Sequence, residues 1–262
     1  MGIVNVTPDS FSGDGRLDVQ SAVLHGVAQY HQGADVLDVG GESSRPGSHA
    51  ISDSEEIARV VPVIQELRER LPQAMISVDT YKPKVALAAY HAGANIVNSV
   101  WGAPDPLLDC VARAGIPIVI MHNSRAPLGG KKIMDKVLAS LTESSHRAML
   151  HGIARDHIIL DPGIGFAKTA DQNIEILANL KDLVQLGFPT LLGTSRKSTL
   201  GLLTGRSNPH ERVAATTATT AFAVAAGIDI VRVHDVAEAR DAVCVADAIV
   251  RDWRPTVWTT LQ

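Results

Sequence analysis

Short apolar runs alternate with longer stretches of helical periodicity along almost the whole chain. The runs are rich in β-branched residues and predict eight buried strands, at 2–5, 36–39, 75–78, 96–98, 118–121, 158–160, 190–193 and 230–233. The stretches that follow predict crossover helices at 18–32, 53–70, 83–91, 106–113, 135–152, 171–186, 209–226 and 236–252. Strands that alternate with helices in this way are typical of βα units and of a parallel sheet.

Local signals agree with these boundaries. Pro83 and Pro209 suit the first turn of a helix, and Gly93 and Gly227 lie between a helix end and the next strand, where a left-handed cap is common. No linker or low-complexity segment divides the chain, so a single domain over residues 1–262 is predicted. Eight βα units favour a closed (β/α)8 TIM barrel over an open doubly wound sheet, because the first strand lacks the glycine-rich turn of the latter.

Composition and charge limit the classes of function that the protein can have. Hydrophobic residues make up 45% of the chain and charged residues 20%, which is typical of a soluble globular protein. The net charge of −4 argues against binding to nucleic acid or to an anionic membrane, and leaves small-molecule chemistry by elimination. The N-terminal residues lack the features of a signal peptide, so a cytoplasmic protein with reduced Cys110 and Cys244 is expected.

Polar side chains follow the carboxyl end of every predicted strand. In a barrel these ends form one rim, where the active sites of this fold lie. One polar residue in such a place is commonly a cap, but eight polar strand ends predict a ligand or a network, because buried polar groups are costly without partners. The strand ends carry Asn5, Asp38, Glu42, Ser44, Arg45, Asp79, Thr80, Lys82, Asn98, His122, Asp161, Ser195, Lys197, Arg232 and His234.

The residue types at the rim fall into two groups. Cationic and hydroxyl side chains suit a phosphorylated group, since guanidinium forks match phosphate oxygens; these are Ser44, Arg45, Lys197, Arg232 and His234. Carboxylates and amides suit a flat nitrogen heterocycle, because they pair with its N–H donors and ring acceptors; these are Asp79, Asn98 and Asp161. The mixture predicts a phosphorylated nitrogen heterocycle as substrate.

Three other patterns do not indicate sites. The segment GIGFAKT at 163–169 lacks the glycine before Lys168 that a nucleotide-binding P-loop requires. The histidines show no metal-ligand spacing, so no structural zinc is predicted. The segment GLLTG around Gly201 is interpreted as a turn beside a helix.

Six motifs together resemble the dihydropteroate synthase family over essentially the whole chain. They are MGIVNVTPDSFS, DVGGESSRPG, SVDTYK, DPGIGF, SRKS and RVHDV, in the order and at about the spacing of that family. The resemblance implies a TIM barrel in which p-aminobenzoate displaces pyrophosphate from 6-hydroxymethyl-7,8-dihydropterin pyrophosphate, assisted by Mg²⁺, in folate biosynthesis. It also implies a homodimer and a sulfonamide target, since sulfonamides mimic p-aminobenzoate in this family; the sensitivity of this chain depends on loop details that the sequence leaves open. For the interface we expect the apolar helix containing residues 214–227 together with the last helix.

The resemblance also implies roles for individual residues. The expected pterin-binding residues are Asp79, Asn98, Asp161, Lys197 and Arg232. The expected diphosphate-binding residues are Asn5, Ser44, Arg45, Arg232 and His234, with Asn5 as the protein contact to Mg²⁺. The p-aminobenzoate site is expected to include Arg45, Pro46, Phe166, Ser195 and Lys197. Catalysis is expected to depend on Asp79, Asp161, Lys197, Arg232 and His234.

The chain departs from the family pattern in a few places. The first loop reads FSGDGR instead of FSDGG, which leaves the role of Asp14 open; Ser99 replaces a common aspartate, and GFAKT replaces GFGKT. Two alternatives therefore remain. One is a pterin-binding methyltransferase barrel that uses a folate and a corrinoid partner, and the other is a non-catalytic paralogue that binds pterin or a partner.

Overall fold

The computed structural model of the chain describes residues 1–7, 19–43, 49–124 and 132–256. Every apolar run predicted as a strand contains one. In chain order the strands are β1 Gly2–Asn5, β2 Val36–Gly40, β3 Met75–Asp79, β4 Ile96–Ser99, β5 Ile118–Met121, β6 Ile158–Asp161, β7 Leu191–Leu192 and β8 Ile230–Val231. The last two are shorter than predicted, because residues on either side of them make single bridges and not a continuous ladder.

The strands form a closed ring of parallel neighbours. Strands β1 to β6 pair in chain order, and β7 pairs with β8. Two links join these sheets: the amide of Leu160 donates to Pro189 O at 2.8 Å, and the amide of Ile3 donates to Val233 O at 3.0 Å. The ring confirms the predicted (β/α)8 barrel and excludes the open doubly wound sheet, whose first and last strands would remain unpaired.

Helices follow the strands around the outside of the ring. Their bounds are α1 Val19–His31, α2 Asp53–Arg70, α3 Pro83–Ala92, α4 Asp105–Ala114, α5 Ile133–Leu150, α6 Ala170–Ala178, α7 Leu180–Val184, α8 Ser198–Thr204, α9 Val213–Ala226 and α10 Val236–Val250, with 3-10 turns at Arg155–His157 and Pro209–Arg212. Within the described segments, no helix is both long and apolar enough to span a bilayer.

One helix prediction and one turn prediction were wrong in detail, and the helix predicted to begin at Pro209 begins at Val213, after the 3-10 turn Pro209–Arg212. The helix predicted at 171–186 divides into α6 and α7 at Asn179, whose φ of −119° and ψ of 27° are not helical and whose Nδ2 donates to Glu175 O at 2.7 Å. The turn expected around Gly201 is the helix α8, which ends at Gly205 with a left-handed φ of 68°. The glycine caps were predicted correctly, as at Gly93, where φ is 115°.

The two ends of the barrel interior differ in chemistry. The amino-terminal end, which we call the floor, is filled by Met1, Ile96, Val119, Ile159 and Leu191, with Val36 and Ile230 packed against them. Outside the ring at this end, Arg68 of α2 donates to Pro72 O and Ala74 O at 2.9 Å and to Gly93 O at 2.8 Å. The carboxyl end, which we call the mouth, receives the polar side chains described next.

Candidate active site

The alternation of side chains along each strand places charged groups in the mouth. Residues two positions apart on a strand point to the same face of the sheet. On four strands, therefore, an apolar floor residue is followed two positions later by a polar residue that faces the mouth. The pairs are Val36 and Asp38, Ile96 and Asn98, Ile159 and Asp161, and Ile230 and Arg232.

Arg232 joins three of the strands through its guanidinium group. Its Nε donates to Asp38 Oδ2 at 2.6 Å, and its Nη2 donates to Asp79 Oδ2 at 2.9 Å. Asn98 Nδ2 donates to the same Asp38 oxygen at 2.9 Å. A guanidinium that bridges two buried carboxylates keeps both in place and partly neutralises them.

Burial shifts the pKa values of two aspartates in the mouth, Asp79 and Asp161. Burial raises the pKa of Asp79 to about 7, Arg232 opposes this rise, and the nearby carboxylates Asp38 and Glu56 add to it. Burial also raises the pKa of Asp161, against the lowering effect of Lys197. Because these carboxylates are held in a poorly solvated site, they are suited to accepting hydrogen bonds from a ligand.

Lys197 lies near Asp161 and against an aromatic ring. Burial lowers the pKa of its ammonium to about 8, and the charge of Asp161 opposes this lowering. The Nζ atom donates to Ile164 O and lies 4.6 Å from the centroid of the Phe166 ring. A methyl group at Gly193 would lie 4.0 Å from Lys197 Nζ and 3.9 Å from Arg232 Cβ, so these two cations line the same space.

Two further groups complete the described part of the rim. Ser195 Oγ and His234 Nδ1 lie 2.9 Å apart, and the amide of His234 donates to Ser195 Oγ at 3.0 Å. Asn5 lies beside Asp79: a methyl group at Gly40 would lie 3.8 Å from both Asn5 Oδ1 and Asp79 Oδ2. The side-chain oxygens of β1 and β3 thus face one another across β2.

Most of the predicted site residues meet at this mouth. The structure brings together Asp79, Asn98, Asp161, Lys197 and Arg232, with Phe166 against Lys197 and Asn5 beside Asp79. Ser195 and His234 form a pair beyond the carboxyl ends of β7 and β8. The predicted residues Ser44, Arg45 and Pro46, and also Asp14, lie outside the described residues.

The site includes residues that the sequence analysis left out. Asp38 was noticed at a strand end but not assigned a role, yet it is fully buried against Arg232, and its Oδ1 has no hydrogen-bond partner in the described part of the chain. Its position two residues after Val36 was the signal that could have identified it. Ser99, at a position where the family commonly has an aspartate, carries no charge, and its hydroxyl donates to Gly102 O.

A second buried cluster lies behind Asp79. Lys82 Nζ donates to Glu42 Oε2 at 2.6 Å, to Glu56 Oε2 at 2.7 Å and to Ile51 O at 2.7 Å. The Glu42, Glu56 and Asp79 side chains line a small cleft that also contains Trp101. The ammonium of Lys82 pairs with both Glu42 and Glu56, and this pairing compensates for the burial of the two carboxylates.

The fold and the mouth together define a class of protein. A closed parallel barrel with buried carboxylate, amide and cationic groups at the carboxyl ends of its strands is a (β/α)8-barrel enzyme with a pocket for a polar heterocycle. Within this class, residues 1–234 match the family described as pterin binding enzyme.

Known proteins identify the family more closely. The dihydropteroate synthases of Clostridium beijerinckii and Bacillus subtilis are 45% and 44% identical to this chain; the alignments cover 96% and 95% of it, and 94% and 88% of the relatives. A Clostridium difficile dihydropteroate synthase structure with pteroic acid is 43% identical, has a TM-score of 0.91, and the match covers 95% of each chain. A Xanthomonas albilineans structure with 4-aminobenzoic acid is 43% identical with a TM-score of 0.91 over 95% and 91% of the two chains. The chain belongs to the dihydropteroate synthase family, as its motifs predicted.

Proposed function

We propose that the chain catalyses the reaction of its family. The amine of p-aminobenzoate displaces pyrophosphate from 6-hydroxymethyl-7,8-dihydropterin pyrophosphate and yields 7,8-dihydropteroate, a step of folate biosynthesis. The observation that carries this proposal is the convergence of Asp79, Asp161, Lys197 and Arg232 on one buried mouth. A relative 41% identical over 95% of the chain has been solved in complex with 7,8-dihydropteroate, which supports the same product here.

We assign the pterin ring to the deepest part of the mouth. The carboxylates of Asp79 and Asp161 would accept hydrogen bonds from the ring and amino N–H groups, and Lys197 would donate to a ring acceptor. Asn98 would hold the ring edge, since its amide both donates and accepts. Arg232 would border the ring and the diphosphate, because its guanidinium already reaches from Asp38 to Asp79.

The diphosphate belongs at the cationic side of the mouth. Arg232 and His234 would bind its oxygens, together with Ser44 and Arg45 of the segment outside the described residues. The side-chain oxygens of Asn5 and Asp79, which both lie close to Gly40, are hard ligands of the kind that Mg²⁺ prefers, so this corner fits the metal, with Asn5 as its protein contact. Bound there, Mg²⁺ would neutralise charge on the diphosphate oxygens.

The arylamine belongs beside the lysine. Phe166, Ser195 and Lys197 would border p-aminobenzoate, together with Arg45 and Pro46. In the reaction the bond between the pterin methylene carbon and the diphosphate oxygen breaks, and its electrons leave with pyrophosphate. The arylamine nitrogen forms the new bond to the methylene carbon and then loses a proton to solvent.

Catalysis in this scheme is electrostatic. Arg232 and His234 would stabilise the departing charge, while Asp79 and Asp161 would stabilise positive charge that develops on the pterin methylene. Lys197 would orient both substrates, because it lies between Asp161 and the ring of Phe166. No nucleophilic side chain is required, since alignment of two bound substrates lowers much of the barrier.

We further propose that the protein is a cytoplasmic homodimer. On the adjacent helices α9 and α10, the large apolar side chains Phe222, Val245 and Ile249 are 73%, 62% and 76% exposed. Contiguous exposed apolar side chains mark an interaction surface, and the two helices pack against one another. A second copy of the chain is the partner that the family resemblance implies.

One assay tests the proposed activity against the alternatives. Purified protein is mixed with Mg²⁺ and the pterin pyrophosphate, with and without p-aminobenzoate, and pyrophosphate release is followed. We expect release that requires the arylamine, is abolished by a chelator and is inhibited competitively by a sulfonamide. No release, or release that is independent of p-aminobenzoate, would favour the non-catalytic paralogue or the methyltransferase.

A further inference from the structure

Lys168 is a partly buried cation that the proposed chemistry does not use. It follows the DPGIGF motif, within the segment that lacks the P-loop spacing. Its Nζ donates to Gly163 O at 2.8 Å, to Phe166 O at 3.2 Å and to His122 O at 3.3 Å. A lysine ammonium has three N–H donors, so these backbone carbonyls use all of them. The Lys168 side chain therefore links separate backbone segments through hydrogen bonds.

The three carbonyls belong to two neighbouring strand ends. His122 directly follows β5, whereas Gly163 and Phe166 lie in the connection from β6 to α6. This connection lies tightly against the end of β5: Gly163 has a φ of 70°, and a Cβ there would lie 2.0 Å from His122 O. Because the contact is backbone to backbone, it cannot be relieved by a side-chain rotation. Lys168 spans this contact, because its ammonium donates hydrogen bonds to a carbonyl on each side of it.

The connection carries groups of the candidate active site. Ile164 O accepts a hydrogen bond from Lys197, and the Phe166 ring faces the same ammonium. The amide of Gly163 donates to Asp161 Oδ1 at 2.7 Å, at the start of the connection. The ring of Phe166 lies further along the chain than Asp161, which is held by its own strand, β6. A shift of the connection would consequently move Phe166 more than it moves Asp161.

We propose that Lys168 is a positioning residue for the arylamine side of the site. Its ammonium holds the 163–166 connection against the end of β5 and thereby sets the position of the Phe166 ring relative to Lys197. The inference rests on the proposed function, because it takes Phe166 as a border of the p-aminobenzoate site. In this proposal Lys168 contacts neither substrate, and its loss weakens the binding of p-aminobenzoate more than the binding of the pterin.

The test is the variant Lys168→Met, which keeps the length of the side chain and removes every donor. We expect the KM for p-aminobenzoate to rise about tenfold or more, as the loss of buried hydrogen bonds to carbonyls implies. The affinity for the pterin, measured by calorimetry without the arylamine, should stay within about threefold of the wild type, because Asp161 remains on its strand. Hydrogen exchange of the 158–168 peptide should accelerate.

A matched control is Arg68→Met at the floor of the barrel. Arg68 also donates to several backbone carbonyls, but it does so at the end opposite the site. We expect Arg68→Met to lower the unfolding temperature while the KM for p-aminobenzoate stays unchanged. If Lys168→Met does not fold, Lys168→Arg takes its place, and a rise in that KM of about threefold is expected, since a planar guanidinium fits three convergent carbonyls less well.

The outcomes separate this inference from the proposed function. A KM for p-aminobenzoate that is unchanged in the folded variant overturns the positioning role, and so does an equal loss of pterin affinity, which would indicate general damage to the mouth. If the wild type forms no dihydropteroate, the proposed function fails instead. Exchange that stays slow at 158–168 in the variant would overturn the anchoring of the connection, whatever the reaction is.

Discussion

The floor and the mouth of the barrel are built from the same strands but have opposite chemistry. On β6, Ile159 packs into the apolar floor, and Asp161, two residues later, is a buried carboxylate in the mouth. The same change occurs at β8, where Ile230 lies on the strand and Arg232 directly follows it. Apolar burial stabilises the folded chain, whereas buried charges cost free energy unless partners or ligands compensate them.

The comparison therefore predicts a division along each strand: floor residues determine the stability of the fold, and mouth residues determine activity. Substitutions in the floor should destabilise the fold and leave the chemistry of the remaining folded molecules unchanged. Substitution of a charged mouth residue outside the Arg232 bridge should remove activity at little cost in stability, because the desolvation that this charge suffers is relieved. Five measurements would break or sharpen this division.

The largest effect is expected for Lys197→Ala. The variant removes the cation between Asp161 and Phe166, so kcat/KM should fall about a thousandfold, the magnitude typical of a lost preorganised charge contact. The free energy of unfolding should change by less than about 1 kcal/mol, because the lost hydrogen bond is offset by relief of a buried ammonium. Activity assays and urea denaturation measure the two quantities. Wild-type kinetics would remove Lys197 from the site.

The matching floor variant is Ile159→Ala. It leaves a cavity among Met1, Ile96 and Leu191, and should lower the free energy of unfolding by about 3 kcal/mol. Below the unfolding temperature, kcat/KM per folded molecule should match that of the wild type. A loss of activity as large as that in Lys197→Ala would contradict the division between floor and mouth.

A smaller effect is expected for Asp161→Asn. Asparagine can still accept the hydrogen bond from the Gly163 amide, so the connection after β6 keeps its shape. The negative charge facing Lys197 and the ligand is lost, and pterin affinity should fall about thirtyfold, which corresponds to about 2 kcal/mol. Calorimetric titration with the pterin provides the test. Unchanged affinity would argue against the pocket assignment.

The smallest effect is the dependence on pH. The pKa of Asp79 is about 7, and that of Lys197 is about 8. Since Asp79 acts as a carboxylate and Lys197 as an ammonium, kcat/KM should rise as pH increases through about 7 and fall as it increases through about 8. In Lys197→Arg the alkaline limb should disappear, because arginine stays protonated. An unaltered alkaline limb in that variant would assign it to another group.

The free energy of unfolding should depend on pH in the direction set by the raised pKa of Asp79. Its pKa is raised on folding from its ordinary value of about 4, so its contribution to stability is fully present below about 4 and is lost as pH rises through about 7. In Asp79→Asn this part of the pH dependence should vanish from the denaturation midpoint. A pH dependence identical to that of the wild type would show that Asp79 does not carry it.

Much of the fold was predictable because it depends on local patterns. The strand positions followed from short β-branched runs, and the glycine caps followed from the left-handed conformation that other residues adopt rarely. The break at Asn179 and the helix Ser198–Thr204 were missed, because each depends on backbone geometry that has no strong signal in composition. The family motifs predicted the residues of the mouth, but not their partners.

The contacts of Asp38 and Lys168 could not be predicted from residue spacing alone. Asp38 contacts Arg232 across 194 positions of the chain, and Lys168 contacts His122 across 46. Neither contact has a periodic or local signal. Asp38 nevertheless occupies an inward position on β2 that alternation could have identified once a barrel was assumed.

The sequence by itself determined which segments become strands and helices, and which residue types lie at the carboxyl ends of the strands, because both depend on neighbours along the chain. Only the tertiary structure decided that Arg232 bridges Asp38 and Asp79, that burial moves the pKa values of Asp79 and Lys197 towards neutrality, and that Lys168 joins two strand ends. The physical reason is that desolvation and charge pairing depend on distances in space, which are set when the ring of strands closes.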